Sequence, residues 1–299
     1  MDRQRIAFLG LGLMGSRMAR RLVDAGLAPV LWNRNPEKLG PFAGLAADLA
    51  ATAPEATKNA EVIILMLDRP EAVEALLFGP GKDALIRVLK PGALVIDMSS
   101  NNPDFARSCA RRLAANGVRF LDAPVSGGTD GAARGALAIM AGGAPADFAE
   151  AEPIFSVMGN PVHVGSSGAG QLVKLANQII VAVTIGAVAE AMTLARAGGA
   201  DPAALRRALA GGFADSRILQ LHGGRMVSRD FIPGGSVDNQ IKDLDAASAV
   251  ATASGVTLPL LQSVRSAFSD LARQGDGDKD HSALVLWLER LNLPSQAEQ

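Results

Sequence analysis

The sequence has 299 residues, of which 48% are apolar, and its formal net charge at pH 7 is −1. This length is sufficient for about two globular domains, each with its own hydrophobic core. Because 29 basic residues balance 30 acidic ones, no net field attracts nucleic acid or an anionic membrane, and neither is expected as a partner. A single cysteine excludes an internal disulfide and is typical of a reduced, cytoplasmic protein. Tyrosine is absent, so no phenol can serve as a proton donor.

The apolar segments predict neither a signal peptide nor a membrane-spanning helix. The first apolar run, residues 6–10, is short and ends in glycine. The longest uncharged apolar stretch, residues 179–189, is shorter than the roughly 20 residues that a spanning helix needs. We therefore expect residues 179–189 to belong to a buried core helix.

Short β-rich runs alternate with amphipathic helical stretches through the first 165 residues. The predicted strands are residues 5–10, 28–33, 61–67, 93–98, 119–123, 137–141 and 161–164. The predicted helices are residues 14–25, 70–78, 83–89, 103–116 and 145–158. Continuous Val, Ile and Leu runs are typical of strands buried on both faces of a parallel sheet. Residues 1–165 are therefore predicted to form an α/β domain with a doubly wound parallel sheet.

From residue 166 onward the periodicity is helical, and no strand is predicted. The predicted helices are residues 170–197, 202–210, 237–253, 259–273 and 280–291, separated by glycine-rich turns. Residues 166–299 are therefore predicted to form an all-helical domain for substrate binding and oligomerisation. Because a single layer of helices leaves apolar surface uncovered, we expect a homodimer or homotetramer joined through this domain.

A glycine-rich turn follows the first predicted strand and opens the first predicted helix. The turn reads Gly10-Leu11-Gly12-Leu13-Met14-Gly15, with the spacing Gly-x-Gly-x-x-Gly. This spacing suits a tight turn, close approach of a pyrophosphate to the backbone, and a helix N-terminus that faces the phosphates. The context predicts a Rossmann-type NAD(P)-binding domain in which these six residues contact the cofactor.

Cofactor choice is predicted from the end of the second strand, which reads Asn33-Arg34-Asn35. A carboxylate at this place binds the ribose of NAD, whereas a guanidinium can bind the 2′-phosphate of NADP. We therefore predict a preference for NADP. The alternative is that Arg34 is a solvated loop cation and that NAD is used. Further strand ends are expected to line the same crevice, and they supply Met66-Leu67-Asp68 and Ser100.

Two further features suggest where a substrate could react. Ser126-Gly127-Gly128 follows another predicted strand and offers a hydroxyl and backbone N–H groups to a carboxylate, or forms a plain loop. Lys174 is an isolated charge on a long apolar helix, with Asn177 and Gln178 nearly on the same face. Desolvation lowers the pKa of a buried lysine toward a range useful for proton transfer. The alternative is a lysine that extends its ammonium group to solvent.

The three histidines are His163, His222 and His281. They are scattered along the chain, without carboxylate partners at ligand spacing. We therefore predict structural roles for them and no metal site, with His281 kept as a candidate cleft residue.

Four motifs occur in order along the chain. They are the first glycine turn, the run from Asp122 to Gly128, Gly168-x-Gly170-x-x-x-Lys174-x-x-Asn177, and Ile241-Lys242-Asp243-Leu244. Together they resemble the β-hydroxyacid dehydrogenase family over nearly the whole chain. The resemblance implies that Lys174 is the catalytic acid/base, that Ser126 and Gly127 hold the substrate carboxylate, and that Lys242 approaches the nicotinamide end. It also implies strand-end cofactor contacts at Leu67, Asp68 and Ser100.

The chain departs from the common family pattern at Gln178, where many members have a second asparagine, and at Asp68, where proline is common. The pair Asn177-Gln178 and the run Asp280-His281-Ser282-Ala283-Leu284 resemble the tartronate semialdehyde reductase branch. The resemblance implies reversible hydride transfer between a nicotinamide cofactor and a small 3-hydroxy or 3-oxo acid. The alternatives are a 3-hydroxyisobutyrate dehydrogenase, an imine reductase-like enzyme and a non-catalytic NADP-binding module.

Overall fold

The computed structural model describes residues 4–292. Its contacts divide the chain into two compact units, Met1–Lys174 and Leu175–Gln299. The sequence places the division near residue 165, ahead of the long helix, whereas the structure places it inside that helix. The difference arises because the first turn of this helix is hydrogen-bonded to the strand ends of the first unit, through Gln171.

Within the described part of the first unit, nine strands form one sheet. The strands are β1 (Ile6–Leu9), β2 (Val30–Trp32), β3 (Asp48–Leu49), β4 (Val62–Leu65), β5 (Leu94–Asp97), β6 (Arg119–Asp122), β7 (Val125–Ser126), β8 (Leu137–Gly142) and β9 (Gly159–Gly165). The strand order is β3-β2-β1-β4-β5-β6-β8-β7, and β9 pairs with β8. Neighbours from β3 to β6 are parallel, as predicted. The sheet is mixed at its other end, because β8 runs antiparallel to β6 and β7.

Helices cover both faces of this sheet, which explains the continuous apolar runs in its strands. The helices of the first unit are α1 (Gly15–Asp24), α2 (Ala53–Thr57), α3 (Pro70–Phe78), α4 (Pro103–Ala114), α5 (Gly128–Arg134) and α6 (Pro145–Met158). The neighbouring β4 residues Ile63 and Ile64 are both fully buried, and each belongs to a different core cluster. Consecutive strand residues point to opposite faces, so both faces of the sheet are covered. The doubly wound architecture is confirmed.

The helices of this unit differ from the prediction in three places. Residues 83–89 contain a short 3₁₀ turn, Leu85–Arg87, rather than a helix. Helix α2 was not predicted from the sequence, and the region of α5 was interpreted as a glycine-rich loop. Glycines were misleading there because Gly135 ends α5 in the left-handed conformation, with φ of 65°, which is a common way to end a helix.

The second unit is helical in its described part, as predicted. Its helices follow α7 (Ala169–Ala197), which begins in the first unit, and are α8 (Pro202–Leu209), α9 (Arg217–Ser228), α10 (Val237–Ala253), α11 (Pro259–Leu271) and α12 (Leu284–Leu291). The sequence missed α9 because Gly223 and Gly224 interrupt its pattern. A Cβ at Gly223 would lie 2.8 Å from the Met192 side chain, so this glycine permits close helix packing rather than a turn.

Helix α7 is long and apolar enough to cross a membrane by length and composition alone, with a mean hydropathy of 1.8 in its most apolar window. Core helices of soluble proteins meet the same criteria. Ala182, Ile185 and Ala189 of α7 are fully buried in the core of the second unit. This fits the expectation that residues 179–189 belong to a core helix, although only 28% of the most apolar window of α7 is buried.

Candidate functional site

The first glycine of the turn after β1 lies between two strand ends. The N–H of Gly10 donates to the carbonyl oxygen of Trp32 at the end of β2 over 3.0 Å. Gly10 has φ of 106°, and a Cβ there would lie 2.3 Å from the carbonyl oxygen of Met66. Only glycine fits a left-handed position this close to neighbouring backbone. The turn is thereby fixed to the carboxyl ends of β2 and β4.

The other two glycines of the turn have different surroundings. A Cβ at Gly15 would lie 1.9 Å from the carbonyl oxygen of Gly10, so Gly15 lets α1 pack on the turn. A Cβ at Gly12 would meet no atom within 4 Å. Open space beside the backbone at a helix N-terminus is what a pyrophosphate needs. The residues of the turn therefore fit a dinucleotide cofactor.

Asn33, at the end of β2, holds the glycine turn in place. Its Oδ1 accepts a hydrogen bond from the N–H of Leu11 over 2.7 Å, and its Nδ2 donates to the carbonyl oxygen of Asn35 over 2.9 Å. Asn35 in turn caps the following 3₁₀ helix. Arg34 is exposed beside them. These hydrogen bonds therefore hold the loop that carries the Arg34 guanidinium in a defined conformation.

The ends of β4 and β5 are joined by a side-chain hydrogen bond. The N–H of Leu67 donates to Ser99 Oγ over 2.9 Å. Asp68 is exposed, with its carboxylate 3.8 Å from the Arg69 guanidinium. Ser100 is half-buried directly after Ser99. The strand-end residues predicted from the sequence thus lie at the carboxyl edge of the sheet, where open α/β sheets bind ligands.

Ser126, Gly127 and Gly128 connect β7 to α5. Gly127 and Gly128 have φ of 140° and 65°, so the loop depends on glycine at both positions. A Cβ at Gly128 would meet nothing within 4 Å. Because α5 begins at Gly128, backbone N–H groups of its first turn have no partners within the helix. This loop can offer such N–H groups and the half-buried Ser126 hydroxyl to an anion.

Behind these strand ends, two buried carboxylates occupy neighbouring strands. Asp97 and Asp122 are register partners of β5 and β6, and both are fully buried. Burial raises the pKa of each carboxyl group to about 6. Hydrogen bonds from Ser99 to Asp97, and from Gly168 and Gln171 to Asp122, act in the opposite direction. The hydrogen bonds of Asp122 suit its ionised form, because both of its oxygens accept from backbone N–H groups.

Lys174 is half-buried in the second turn of α7 and is the last residue of the first unit. Three residues earlier, the Gln171 side chain is fully buried. Its Oε1 accepts from the N–H of Asn101 over 2.9 Å, and its Nε2 donates to the carbonyl oxygen of Ser99 over 2.8 Å. Sequence reasoning missed Gln171, although it lies inside the motif that contains Lys174.

In the second unit, the two predicted amides contact the Lys-Asp-Leu segment of α10. Asn177 Nδ2 donates to Gln178 Oε1 over 2.8 Å, and Gln178 Nε2 donates to Asp243 Oδ2 over 2.6 Å. Gln240 Nε2 lies 3.4 Å from the carbonyl oxygen of Gln178. Lys242 is exposed on α10. Sequence reasoning missed Asp243 as a partner, even though it adjoins Lys242 in the motif.

Folding brings His222 and His281 to a carboxylate, although the sequence shows no carboxylate partner for them at ligand spacing. Their rings lie 4.5 Å apart, and His222 Nδ1 is 3.5 Å from Asp280 Oδ1. Burial lowers the pKa of His281 to about 4, and the neighbouring His222 adds to this shift. The three side chains could geometrically hold a metal ion. The Asp280 oxygens also accept from Arg225, Ser282 and the N–H of Gly234. The structural role of these histidines stays a prediction.

Comparisons with known proteins cover both units. A family model described as the NAD binding domain of 6-phosphogluconate dehydrogenase matches residues 5–169. A second, described as the NAD-binding of NADP-dependent 3-hydroxyisobutyrate dehydrogenase, matches residues 168–288. The 2-hydroxy-3-oxopropionate reductase of Escherichia coli K12 is 41% identical over 290 residues, which cover 95% of this chain and 97% of that protein.

Solved structures show the same fold. A 3-hydroxyisobutyrate dehydrogenase from Salmonella typhimurium has a TM-score of 0.85 at 29% identity, covering 95% of this chain and 99% of that one. A 3-hydroxyisobutyrate dehydrogenase from Mycobacterium tuberculosis, described with L-serine, has a TM-score of 0.84 at 31% identity and covers 97% of this chain and 99% of that one.

A dinucleotide-binding sheet followed by a helical unit, matched along the chain by dehydrogenases and reductases, defines a nicotinamide-dependent oxidoreductase. The chain belongs to the β-hydroxyacid dehydrogenase family, and its class of activity is that of an NAD(P)-dependent 3-hydroxyacid dehydrogenase.

The different surroundings of Gly12 and Gly15 give a matched pair of variants. Gly12→Ala should weaken NADPH binding by about tenfold or more, equivalent to about 1.4 kcal/mol, because the added methyl group occupies the open space at the turn. It should change the free energy of unfolding by no more than about 0.5 kcal/mol. Gly15→Ala should lower that free energy by about 1–3 kcal/mol, because its methyl group meets the Gly10 carbonyl. Fluorescence titration with NADPH and urea unfolding measure the two effects. Unchanged NADPH affinity in Gly12→Ala would place the pyrophosphate elsewhere.

Proposed function

We propose that this enzyme is a tartronate semialdehyde (2-hydroxy-3-oxopropionate) reductase. The observation that supports this substrate most directly is the 41% identity to the E. coli enzyme of that name, which extends over nearly the whole of both chains. The sequence pair Asn177-Gln178 and the run that begins at Asp280 favour the same branch. A 3-hydroxyisobutyrate dehydrogenase is the second candidate, since solved structures with that name share the fold with TM-scores of 0.85 and 0.84.

The proposed chemistry separates hydride transfer from proton transfer. The bound nicotinamide supplies the hydride to the aldehyde carbon. The Ser126 hydroxyl and the N–H groups of Gly127 and Gly128 hold the substrate carboxylate. Lys174 Nζ gives a proton to the aldehyde oxygen as it becomes a hydroxyl, and takes that proton back in the reverse reaction. Proton transfer of this kind contributes about 10²- to 10⁴-fold in rate.

The remaining predicted residues orient the reactants. We assign Asn177 and Gln178, on the turn of α7 that follows Lys174, to the orientation of the reacting oxygen. The glycine turn, Asn33, Asn35 and the strand ends that carry Met66, Leu67, Asp68 and Ser100 are assigned to the cofactor. Lys242 is assigned to its nicotinamide end. The fit of the Gly12 backbone to a pyrophosphate supports this placement.

A substrate panel tests the activity and the role of Lys174 together. Wild-type enzyme should oxidise NADPH, followed at 340 nm, fastest with tartronate semialdehyde among a panel that includes methylmalonate semialdehyde, succinic semialdehyde and glyoxylate. Lys174→Ala should lower kcat by about 10²-fold or more, because the proton donor is removed. The NADPH dissociation constant should stay within about twofold, since the Lys174 ammonium group is assigned to the substrate oxygen and not to the cofactor.

Lys82→Ala serves as the matched control, because it removes an exposed lysine of the same unit that belongs to none of these motifs. A Lys174→Ala enzyme with full turnover would show that the proton comes from another group. Fastest turnover with methylmalonate semialdehyde would select the second candidate. No turnover by wild type with any of the four aldehydes would favour an imine substrate or a non-catalytic NADP-binding role.

We further propose that NADPH is preferred over NADH through Arg34. The residue before it, Asn33, is neutral and already bonded to Leu11, so no carboxylate repels a 2′-phosphate there. Arg34→Ala should lower kcat/KM for NADPH by about tenfold, equivalent to about 1.4 kcal/mol, and leave kcat/KM for NADH nearly unchanged. Arg87→Ala, another exposed arginine of the first unit, is the control. A wild-type preference for NADH contradicts the proposal.

A cytoplasmic homodimer or homotetramer joined through the second unit completes the proposal. Ile180 and Leu194 of α7 are 67% and 75% exposed, and an assembly through this helix would remove their apolar surface from water. Light scattering after gel filtration should give a dimer or tetramer, and Leu194→Asp should shift the mass toward that of one chain. Leu49→Asp, at an exposed position of the first unit, should leave the assembly intact. A wild-type monomer at micromolar concentration overturns the proposal.

A further inference from the structure

The N-terminus of α7 is held by a carboxylate from the sheet. Asp122 Oδ1 accepts from the N–H of Gly168 over 2.7 Å, and Asp122 Oδ2 accepts from the N–H of Gln171 over 2.9 Å. These N–H groups belong to the first turn, where a helix leaves its donors without partners. A negative charge at this end is also favoured by the helix dipole. Asp122 therefore binds α7 to the end of β6.

Close backbone contact reinforces this attachment. A Cβ at Gly170 would lie 2.4 Å from the carbonyl oxygens of Asp122 and Met140. A Cβ at Gly142 of β8 would lie 2.7 Å from the backbone nitrogen of Gly170. The start of α7 thus lies directly on β6 and β8, and the glycines of the Gly168-x-Gly170 motif permit that contact.

Gln171 adds a second attachment, to the end of β5. Its buried amide donates to the carbonyl oxygen of Ser99 and accepts from the N–H of Asn101. Ser99 also binds the N–H of Leu67 at the end of β4. One side chain of α7 is therefore connected to the strand ends that are assigned to the cofactor.

Lys174 follows Gln171 by three residues, or about 4.5 Å along the helix axis. Residues three apart lie on neighbouring positions of one helix surface. The position of the Lys174 backbone is therefore set by the same contacts that hold Gln171. A proton donor must stay within about 1 Å of its productive position, because a shift of this size can lower a rate about 10²-fold.

We propose that Gln171 and Asp122 are positioning residues for Lys174. They fix the first turns of α7 against the ends of β5 and β6, so that the lysine is held at a constant place relative to the cofactor crevice. This inference rests on the proposed function, in which Lys174 is the proton donor. Neither Gln171 nor Asp122 needs to touch the substrate or the cofactor for this role.

Gln171→Met is the variant that tests the proposal, because methionine retains the length of the side chain and removes both amide hydrogen bonds. We expect kcat, normalised to the number of bound NADPH molecules, to fall about tenfold or more. The assay uses saturating NADPH, because Gln171 also contacts Ser99 and Asn101 on either side of the cofactor-assigned Ser100. One limb of the pH profile of kcat should disappear in Lys174→Ala, which attributes it to Lys174. In Gln171→Met this limb should shift along the pH axis, because the displaced lysine has a different environment. Gln262→Met, which removes a glutamine bond to Ser248 on another helix pair, should change neither quantity.

A folded Gln171→Met enzyme with wild-type kcat and an unmoved pH limb overturns the proposal. If Gln171→Met does not fold, Gln171→Glu replaces it, since the carboxylate keeps the acceptor for Asn101 and loses the donor to Ser99. The same loss of kcat and the same movement of the limb are then expected, and their absence overturns the proposal equally.

Asp122→Asn provides a readout that does not depend on turnover. The amide nitrogen cannot accept a hydrogen bond, so one of the two N–H groups at Gly168 and Gln171 loses its partner. Hydrogen exchange at these positions should become at least about tenfold faster than in wild type, whereas Asp147→Asn, at another buried aspartate of the unit, should leave it unchanged. If wild type turns over no aldehyde, the proposed function fails. Unchanged exchange in Asp122→Asn would instead overturn the attachment itself.

Discussion

The two oxygens of the buried Asp122 carboxylate accept hydrogen bonds from the backbone at the start of α7. A buried, ionised carboxylate is costly unless donors surround it, and here the donors are N–H groups that the helix leaves without partners. These hydrogen bonds therefore stabilise the buried carboxylate and also give the N–H groups at the start of the helix an acceptor. They also attach the first turn of α7 to the end of β6, and the proposed placement of Lys174 depends on this attachment.

The glycine residues of the first unit divide into those that permit contact and those that leave space. Gly10, Gly15 and Gly170 lie against backbone atoms at distances that a side chain would not allow. Gly12 and Gly128 face open space, where a phosphate or a carboxylate can approach the main chain. Sequence spacing alone gives all five the same appearance. The structure separates the glycines that permit close backbone contact from those that have open space beside them.

Sequence reasoning predicted those parts of the molecule that depend on local pattern. Continuous apolar strands, the first glycine turn and the helix around Lys174 all follow from neighbouring residues. The antiparallel pairing of β8 and the meeting of His222 with Asp280 depend on chain segments far apart in sequence, and no local signal indicates them. Helix α9 was missed for another reason, since Gly223 has the same appearance whether it permits packing or forms a turn.

The amide of Gln178 offers a physical account of the departure from the common family pattern. Its Oε1 accepts from Asn177 while its Nε2 donates to Asp243, and since a carboxylate only accepts, the orientation of the amide is fixed by its partners. Asparagine at this position has one methylene fewer and could not span the same distance from α7 to the Asp243 carboxylate without movement of the helices. The distance between α7 and α10 therefore requires the longer side chain of glutamine at position 178.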